Sequence, residues 1–389
     1  MRFDTLAQHG GYDPKEHRGH RSEPIYVGVA PVQPDSETAR RVFVGEEEGI
    51  IYPRFGTENS RMVEKRLALL EGGEAAETFA TGLAAINCML FALTKPKDIV
   101  VVQERIYGGT TQSLKVFFSD RRVIFVKDMN DLDELSQKTK GLRPKFVFTE
   151  ILSNPTLDVL DVKKLAEFSR RNKAKLVVDS TFATPVLSRP LEFGADIVIH
   201  STTKFINIEN MGGIVIGQKS DVQMVHEAAK FYGATCSQYD LKETLKGIRF
   251  LPIKVRRQSE TALEIARFLS RHRAIKQVYY PGLPNSRNYY LAKKYLPDGC
   301  GGMLAFETHG TGKDTKNFID TLALISNVVN LGSTWSNVTY PQETTHSILD
   351  PETRLSSGIT ETFVRFSTGL EDADDLLEDL DQALRKISN

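Results

Sequence analysis

Three short apolar runs each end in polar groups, and this repeat restricts the fold more than any other feature of the chain. Phe146-Val147-Phe148-Thr149-Glu150 leads into Ile151-Leu152-Ser153-Asn154-Pro155. Lys175-Leu176-Val177-Val178-Asp179 comes next, and Ala195-Asp196-Ile197-Val198-Ile199-His200 then runs into Ser201-Thr202-Thr203-Lys204. Runs of this length, rich in β-branched and aromatic residues, read as buried strands, and the spacing from Asp179 to Lys204 fits one βαβ unit. Parallel strands joined by helices bring their carboxyl ends to one rim, where α/β sheets bind their ligands. Asp179 and Lys204 then share that rim.

The chemistry of that rim is specific. A lysine at the end of a buried strand can lose its charge by desolvation and attack an aldehyde, and neighbouring hydroxyls can bind a phosphate. Pyridoxal phosphate (PLP) presents both groups, and an ionised Asp179 can keep its pyridine nitrogen protonated, making the ring an electron sink. Taken singly, a strand-end Asp is ordinarily a turn or helix cap and a strand-end Lys is ordinarily solvated; the argument is their joint register. A second phosphate-binding candidate lies upstream. Thr81-Gly82-Leu83 precedes the apolar helix predicted over 84–93, whose positive end would offer the N–H groups of Gly82 and Leu83.

These residues resemble the PLP-dependent enzymes of cysteine and methionine metabolism: cystathionine γ-synthase, cystathionine γ-lyase, methionine γ-lyase and O-acetylhomoserine sulfhydrylase. Val178-Asp179-Ser180-Thr181-Phe182-Ala183-Thr184-Pro185 is similar to the family's Asp-Asn-Thr-Phe-Ala-Thr-Pro block. His200 to Lys204 is similar to its Ser-x-Thr-Lys block, which implies that Lys204 binds the cofactor aldehyde and that Ser201 and Thr203 hold its phosphate. Thr181 lies in the cofactor-binding block. Tyr107-Gly108-Gly109-Thr110 resembles the block whose tyrosine stacks on the cofactor ring. Tyr52-Pro53-Arg54, with Asn59 beyond, resembles the segment whose tyrosine and arginine reach the phosphate of a neighbouring subunit. Asn154, Asn330-Leu331-Gly332, Trp335, Ser336, Thr345-His346 and Phe363 to Gly369 parallel the substrate-binding segments, and the resemblance assigns Arg365 to the substrate carboxylate. An arginine's planar fork suits that partner, although pairing with a structural acid would equally explain an arginine inside an apolar strand.

The resemblance implies PLP-dependent transferase fold type I, like aspartate aminotransferase: a large domain on a mostly parallel sheet and a smaller α+β carboxyl-terminal domain. It implies γ-elimination or γ-replacement on a sulfur amino acid or an O-activated homoserine, cleaving or forming a C–S bond. Lys204 would move the α-proton and Tyr107 would help the γ-leaving group depart. An aminotransferase or β-lyase of the same fold is the alternative. A non-enzymatic descendant would be expected to have lost Lys204, Asp179 or Arg365, and all three are present. Three departures stand out, the first in a loop that borders the cofactor, the other two, at Trp335 and Gly109, loosening the substrate assignment. Residues 205–211 reach Gly212-Gly213 two residues sooner than most members do. Trp335 stands where cystathionine-handling and methionine-cleaving members often carry glutamate, and Gly109 replaces the cysteine of many methionine γ-lyases.

The 389 residues suit more than one core. Residues 1–55, rich in Gly, Pro and charge, read as an arm that orders against a neighbouring subunit. Residues 56–250 alternate helix and strand, with strands over 99–103 and 123–126 and a helix over 61–70, and form the PLP-binding domain. Residues 251–389 form the small domain, with helices over 260–270 and 318–325, strands over 278–280, 303–307 and 362–367, and a final helix whose Leu376, Leu377, Leu380 and Leu384 share a face. Fifty basic and fifty acidic residues cancel, so no nucleic-acid or anionic-membrane footprint is expected. The start lacks an apolar signal core and no stretch reaches the ~20 apolar residues of a membrane span, so a cytoplasmic protein is expected. Cys88, Cys236 and Cys300 are too few and too far apart for a disulfide framework or zinc site, and His9, His17 and His20 lack partners at ligand spacing, so no metal is expected. The expected assembly is a homo-oligomer, a dimer paired into a tetramer.

Overall fold

A computed structural model describes residues 1–345, 347, 354–355 and 358–387. The strands, in chain order, are β1 (Ala75–Phe79), β2 (Ile99–Gln103), β3 (Arg122–Val126), β4 (Pro144–Glu150), β5 (Lys175–Asp179) and β6 (Ile197–His200). They continue with β7 (Gly213–Gly217), β8 (Ile275–Tyr279), β9 (Met303–Thr308), β10 (Ser326–Asn327), β11 (Asn337–Thr339) and β12 (Phe363–Ser367). The chain divides into two compact units, Met1–Lys95 with Asp196–Phe250, and Pro96–Ala195 with Leu251–Asn389.

In the first unit, β7 pairs antiparallel with both β1 and β6. β6 and β7 are buried along their whole length, which explains their unbroken Ile/Val content. Helix Glu58–Glu71 starts at a capping box between Thr57 and Ser60 and stops at Gly72, whose φ of 79° is open to glycine. The arm contains two short helices, Phe3–His9 and Ser36–Phe43, rather than extended chain alone. It is fastened by buried polar groups. Arg66 donates from Nη2 to Glu23 Oε1 at 2.8 Å and from Nε to the Gly10 carbonyl at 2.7 Å, and Asn59 donates from Nδ2 to the Pro24 carbonyl at 2.7 Å. Such anchors replace the apolar contacts that the arm's composition cannot supply.

In the second unit, β3, β2, β4 and β5 lie parallel and in that order, with Glu150 directly opposite Asp179 at the carboxyl ends of β4 and β5. A second sheet runs β10-β11-β12-β9-β8. The final helix, Ala373–Ile387, buries Leu376, Leu380 and Leu384 against Phe306, Phe318, Val364 and Phe366, so the leucine stripe seen in the sequence is its core face. Each such leucine contributes about 1.5–3 kcal/mol. Two helices depart from expectation, the one read over 318–325 being Gly312–Thr321 and another starting far earlier than its sequence suggested. Gln238–Leu269 is continuous through Pro252, where the sequence suggested a start near 260. Proline removes one N–H bond, but Leu245, Ile248, Leu251 and Val255 are buried around it, and tertiary packing offsets that loss. Among the described residues no helix is long and apolar enough to cross a membrane, and no cluster of His, Cys, Asp or Glu could hold a metal ion.

Candidate active site

Lys204 follows β6 in a tight turn, its N–H donating to the Ser201 carbonyl at 3.2 Å. The strand end is fixed from below, where His200 Nε2 and Glu71 Oε1 share a hydrogen bond of 2.6 Å with both side chains fully buried. Helix Gly82–Leu93 begins beside the same turn. Thr81 caps it by accepting from the Ala84 N–H at 3.0 Å, and the first-turn N–H groups of Gly82 and Leu83 have no carbonyl one turn earlier to bond. A Cβ on Gly82 would lie 2.5 Å from Ser201 Cβ, and one on Gly213 would lie 2.3 Å from the Thr81 carbonyl oxygen. Only glycine permits these approaches. The result is a cradle of hydroxyl and backbone N–H groups at the positive end of a 12-residue helix, which fits a phosphate.

Thr203 has a different engagement. Its Oγ1 donates to the Gly212 carbonyl at 3.1 Å and accepts from the Gly212 N–H at 3.0 Å, closing the loop that begins at Lys204. The shortened segment 205–211 is well anchored. Phe205 and Ile206 are buried, Asn207 donates from Nδ2 to Thr202 Oγ1 and to the Asn210 carbonyl, and Asn210 donates from Nδ2 to the Asp240 carbonyl. A Cβ at Gly247 would meet the Ile206 carbonyl at 2.3 Å, so the helix passes in backbone contact with the loop.

The second unit carries the carboxylates. Asp179, half-buried at the end of β5, accepts from the Thr181 N–H at 2.9 Å. Beside it Glu150 is buried, accepting from the Tyr107 N–H on Oε1 at 2.7 Å and from the Asn154 N–H on Oε2 at 2.9 Å. Burial, and then the neighbouring Asp179 charge, push the Glu150 carboxyl well above the usual range, against the pull of those two N–H groups. The Tyr107 ring is 49% exposed and lies over Gly109, where a Cβ would come within 2.4 Å of its Cε1. Gly109 is therefore what leaves this ring position open.

Arg365, on β12, is buried, and burial lowers its pKa to about 10. Nη1 donates to Asn154 Oδ1 at 3.3 Å and Nη2 to the Val329 carbonyl at 2.9 Å, and among the described residues no carboxylate pairs with it. Among the described residues no structural acid explains this arginine. Segment 329–333 is tied to the helix Gln238–Leu269, with Lys254 Nζ donating to the Gly332 carbonyl at 3.3 Å and Gln258 Nε2 to the Ser333 carbonyl at 2.8 Å. Burial lowers the Lys254 pKa to about 8.

Other predicted residues sit less openly. The Ser336 hydroxyl donates to Glu371 Oε2 at 2.8 Å and accepts from the Gly369 N–H at 2.8 Å. Trp335 is 58% exposed. Tyr52 is exposed, and Arg54 donates from Nη1 to the Lys230 carbonyl at 2.6 Å with its guanidinium over the Phe55 ring. His346 lies outside the described residues. Sequence reasoning left Glu150, Lys254 and Gln258 out of the site. Glu150 could have been found from its place at the end of the strand adjoining Asp179; nothing in the sequence distinguishes Lys254 or Gln258 from solvated helix residues.

In the first unit the lysine and the phosphate cradle beside it fit PLP; in the second, the solvent-excluded arginine fits an amino acid's carboxylate. By fold the chain is a PLP-dependent transferase of fold type I. A putative O-acetylhomoserine (thiol)-lyase from Campylobacter jejuni, whose structure contains N'-pyridoxyl-lysine-5'-monophosphate, matches at a TM-score of 0.94 with 29% identity, covering 99% of this chain and 100% of the other. Cystathionine gamma synthase from Xanthomonas oryzae pv. oryzae, in complex with aminoacrylate and cysteine, matches at 0.92 with 31% identity, covering 100% and 99%. The chain belongs to the Cys/Met metabolism PLP-dependent enzyme family, whose model matches residues 4–385. It is 36% identical to L-methionine gamma-lyase of Pseudomonas putida over 98% of this chain and 97% of the relative. It is 33% identical to O-acetyl-L-homoserine sulfhydrylase of Leptospira meyeri over 99% and 97%. It is an enzyme and its cofactor is pyridoxal 5'-phosphate.

Proposed function

We propose that the chain carries out γ-elimination or γ-replacement on a sulfur amino acid or an O-activated homoserine, making or breaking a C–S bond. The observation that carries the substrate reading is Arg365, a buried guanidinium with two neutral oxygen acceptors and no carboxylate partner among the described residues. A buried charge left in that state favours an anionic ligand, and an α-carboxylate matches the planar fork. Asn154 orients the guanidinium through its Oδ1, and Trp335 and Ser336 border the substrate's distal group.

Bound PLP supplies an electron sink for the carbon that carries the substrate's amino group. Ser201 and the N–H groups of Gly82 and Leu83 hold its phosphate. Tyr52 and Arg54 reach the same group from a neighbouring copy. Thr203 shapes the cradle through its hold on Gly212, and a direct bond to phosphate needs that hydroxyl to turn away. Asp179, steadied by the N–H of Thr181, keeps the ring nitrogen protonated. Lys204 would hold the cofactor aldehyde and, with its amine free, would take and return a proton as general base and acid, work that typically supplies roughly 10²–10⁴-fold per step. Tyr107 would hold the cofactor ring and assist the departing γ-group.

Residues 1–55 act as an arm on a neighbouring copy, 56–250 as the cofactor-binding domain and 251–389 as the small domain. The assembly is a homotetramer in the cytoplasm. Val27, Val29 and Val32 stand exposed along the arm, apolar surface that a second copy would cover.

The test is an assay of cystathionine, methionine, cysteine and O-acyl homoserines, with and without sulfide or cysteine. Release of 2-oxo acid and ammonia without added thiol marks elimination, and a new thioether or thiol amino acid marks replacement. Borohydride reduction and peptide mapping should tag Lys204. A tag on another lysine, or no turnover across the panel, overturns the reading.

A further inference from the structure

The buried carboxylate of Glu150 has no task in the chemistry above. Yet its two oxygens are each used by a backbone N–H from a different segment, Tyr107 at 2.7 Å and Asn154 at 2.9 Å. Its own N–H donates to Gln103 Oε1 at 3.2 Å, and that oxygen also accepts from Thr149 Oγ1 at 2.6 Å, so the strand end carrying Glu150 is itself fixed. Tyr107 immediately precedes helix Gly108–Phe117 and has a half-exposed ring that the core does not grip, so the ring's place is set mainly by its backbone. Asn154 in turn receives the Nη1 bond of Arg365.

We infer that Glu150 is a positioning residue for this reaction: one carboxylate spans the backbones of Tyr107 and Asn154 and thereby sets the tyrosine ring and, through Asn154, the Arg365 guanidinium as a unit. The inference rests on the functional reading of Tyr107 and Arg365 given above. Physically, a carboxyl group offers an acceptor on each of its two oxygens, and here each of the two backbone N–H groups uses one of them. An amide of the same shape keeps one acceptor and turns an NH₂ group towards the other N–H, leaving a buried donor unmet. Small misplacements of groups that hold a substrate can lower rate by about 10²-fold.

The experiment uses holoenzyme of the wild type, Glu150→Gln, Glu150→Asp and Asn154→Ala. For each, kcat and KM are measured for the amino acid the wild type turns over, together with the visible circular dichroism of bound PLP and the melting temperature. Glu150→Gln should keep its cofactor, raise KM, change the visible dichroism and lower kcat/KM by about 10²-fold. Asn154→Ala, which keeps its backbone N–H, should raise KM and leave the dichroism as in the wild type. Glu150→Asp is one methylene too short to reach both N–H groups and should show the same paired change as the amide. A lower melting temperature with unchanged KM, kcat and dichroism would make Glu150 a purely structural residue and overturn the inference. So would movement of KM or dichroism alone, or failure of both Glu150 variants to fold. A wild type that neither holds PLP nor turns over any amino acid in the panel defeats the functional reading and the inference with it; an active wild type matched by Glu150→Gln defeats the inference alone.

Discussion

Nη1 of Arg365 donates to Oδ1 of Asn154 at 3.3 Å, joining β12 to the turn that follows β4 across a wide stretch of sequence. The bond places the carboxylate-binding candidate beside the strand rim that bears Glu150 and Asp179. It also leaves the guanidinium without a carboxylate partner among the described residues, which is the state a carboxylate substrate requires.

Asp179→Asn should retain PLP and lose at least about 10²-fold in kcat, because a neutral amide cannot stabilise the positive ring nitrogen and preorganised charges of this kind are worth that much. Steady-state turnover at saturating cofactor checks it. A rate near wild type removes Asp179 from the role.

Trp335 should set specificity without touching cofactor affinity. Its exposed indole leaves room for a change of partner, so Trp335→Glu should alter the ratio of kcat/KM among substrates with different γ-substituents by about 10-fold or more. The PLP dissociation constant should stay as it was. An unaltered substrate ratio rules the idea out.

Mixing should repair paired lesions if the site is shared between copies. Arg54→Ala and Lys204→Ala chains, each inactive, when co-refolded in equal amounts put both lesions in one site of a mixed dimer and none in the other. Random pairing then restores roughly one quarter of wild-type activity. Confirmed mixed dimers with no recovery would return Arg54 to its own chain's site.

Lys254 should leave a mark on the pH dependence of stability. Burial lowers its pKa from 10.5 to about 8, so between those values the unfolded chain binds the extra proton and the folded chain does not. Its contribution to stability therefore rises as pH climbs through that window, and below it the buried ammonium is a standing cost. The melting-temperature difference between wild type and Lys254→Met should shift in favour of the wild type from pH 8 to pH 10. A difference that stays flat would show that the two pKa values are the same.

The strands ending at Glu150, Asp179 and His200, the helix after Gly82 and the leucine face of the last helix were all legible in the residue pattern. Each is decided locally: β-branched runs suit a buried strand, and a spacing of three to four residues suits a helix face. The places of Lys204 after its hydroxyls and of Asp179 at its strand end were legible as well, since each position follows from its own strand. The tertiary structure alone decided what these side chains do to one another. Pro252 stays inside a helix because Leu251 and Val255 are buried on either side of it. Thr203 spends its hydroxyl on Gly212, and Ser336 spends its own on Glu371 and Gly369. Glu150 bridges Tyr107 and Asn154, and Lys254, which reads as a surface lysine, lies buried under Gly332. The physical reason is common to all of them: periodicity determines which face of an element is buried, whereas the partner of a buried polar group depends on the distant segment that packing brings against it.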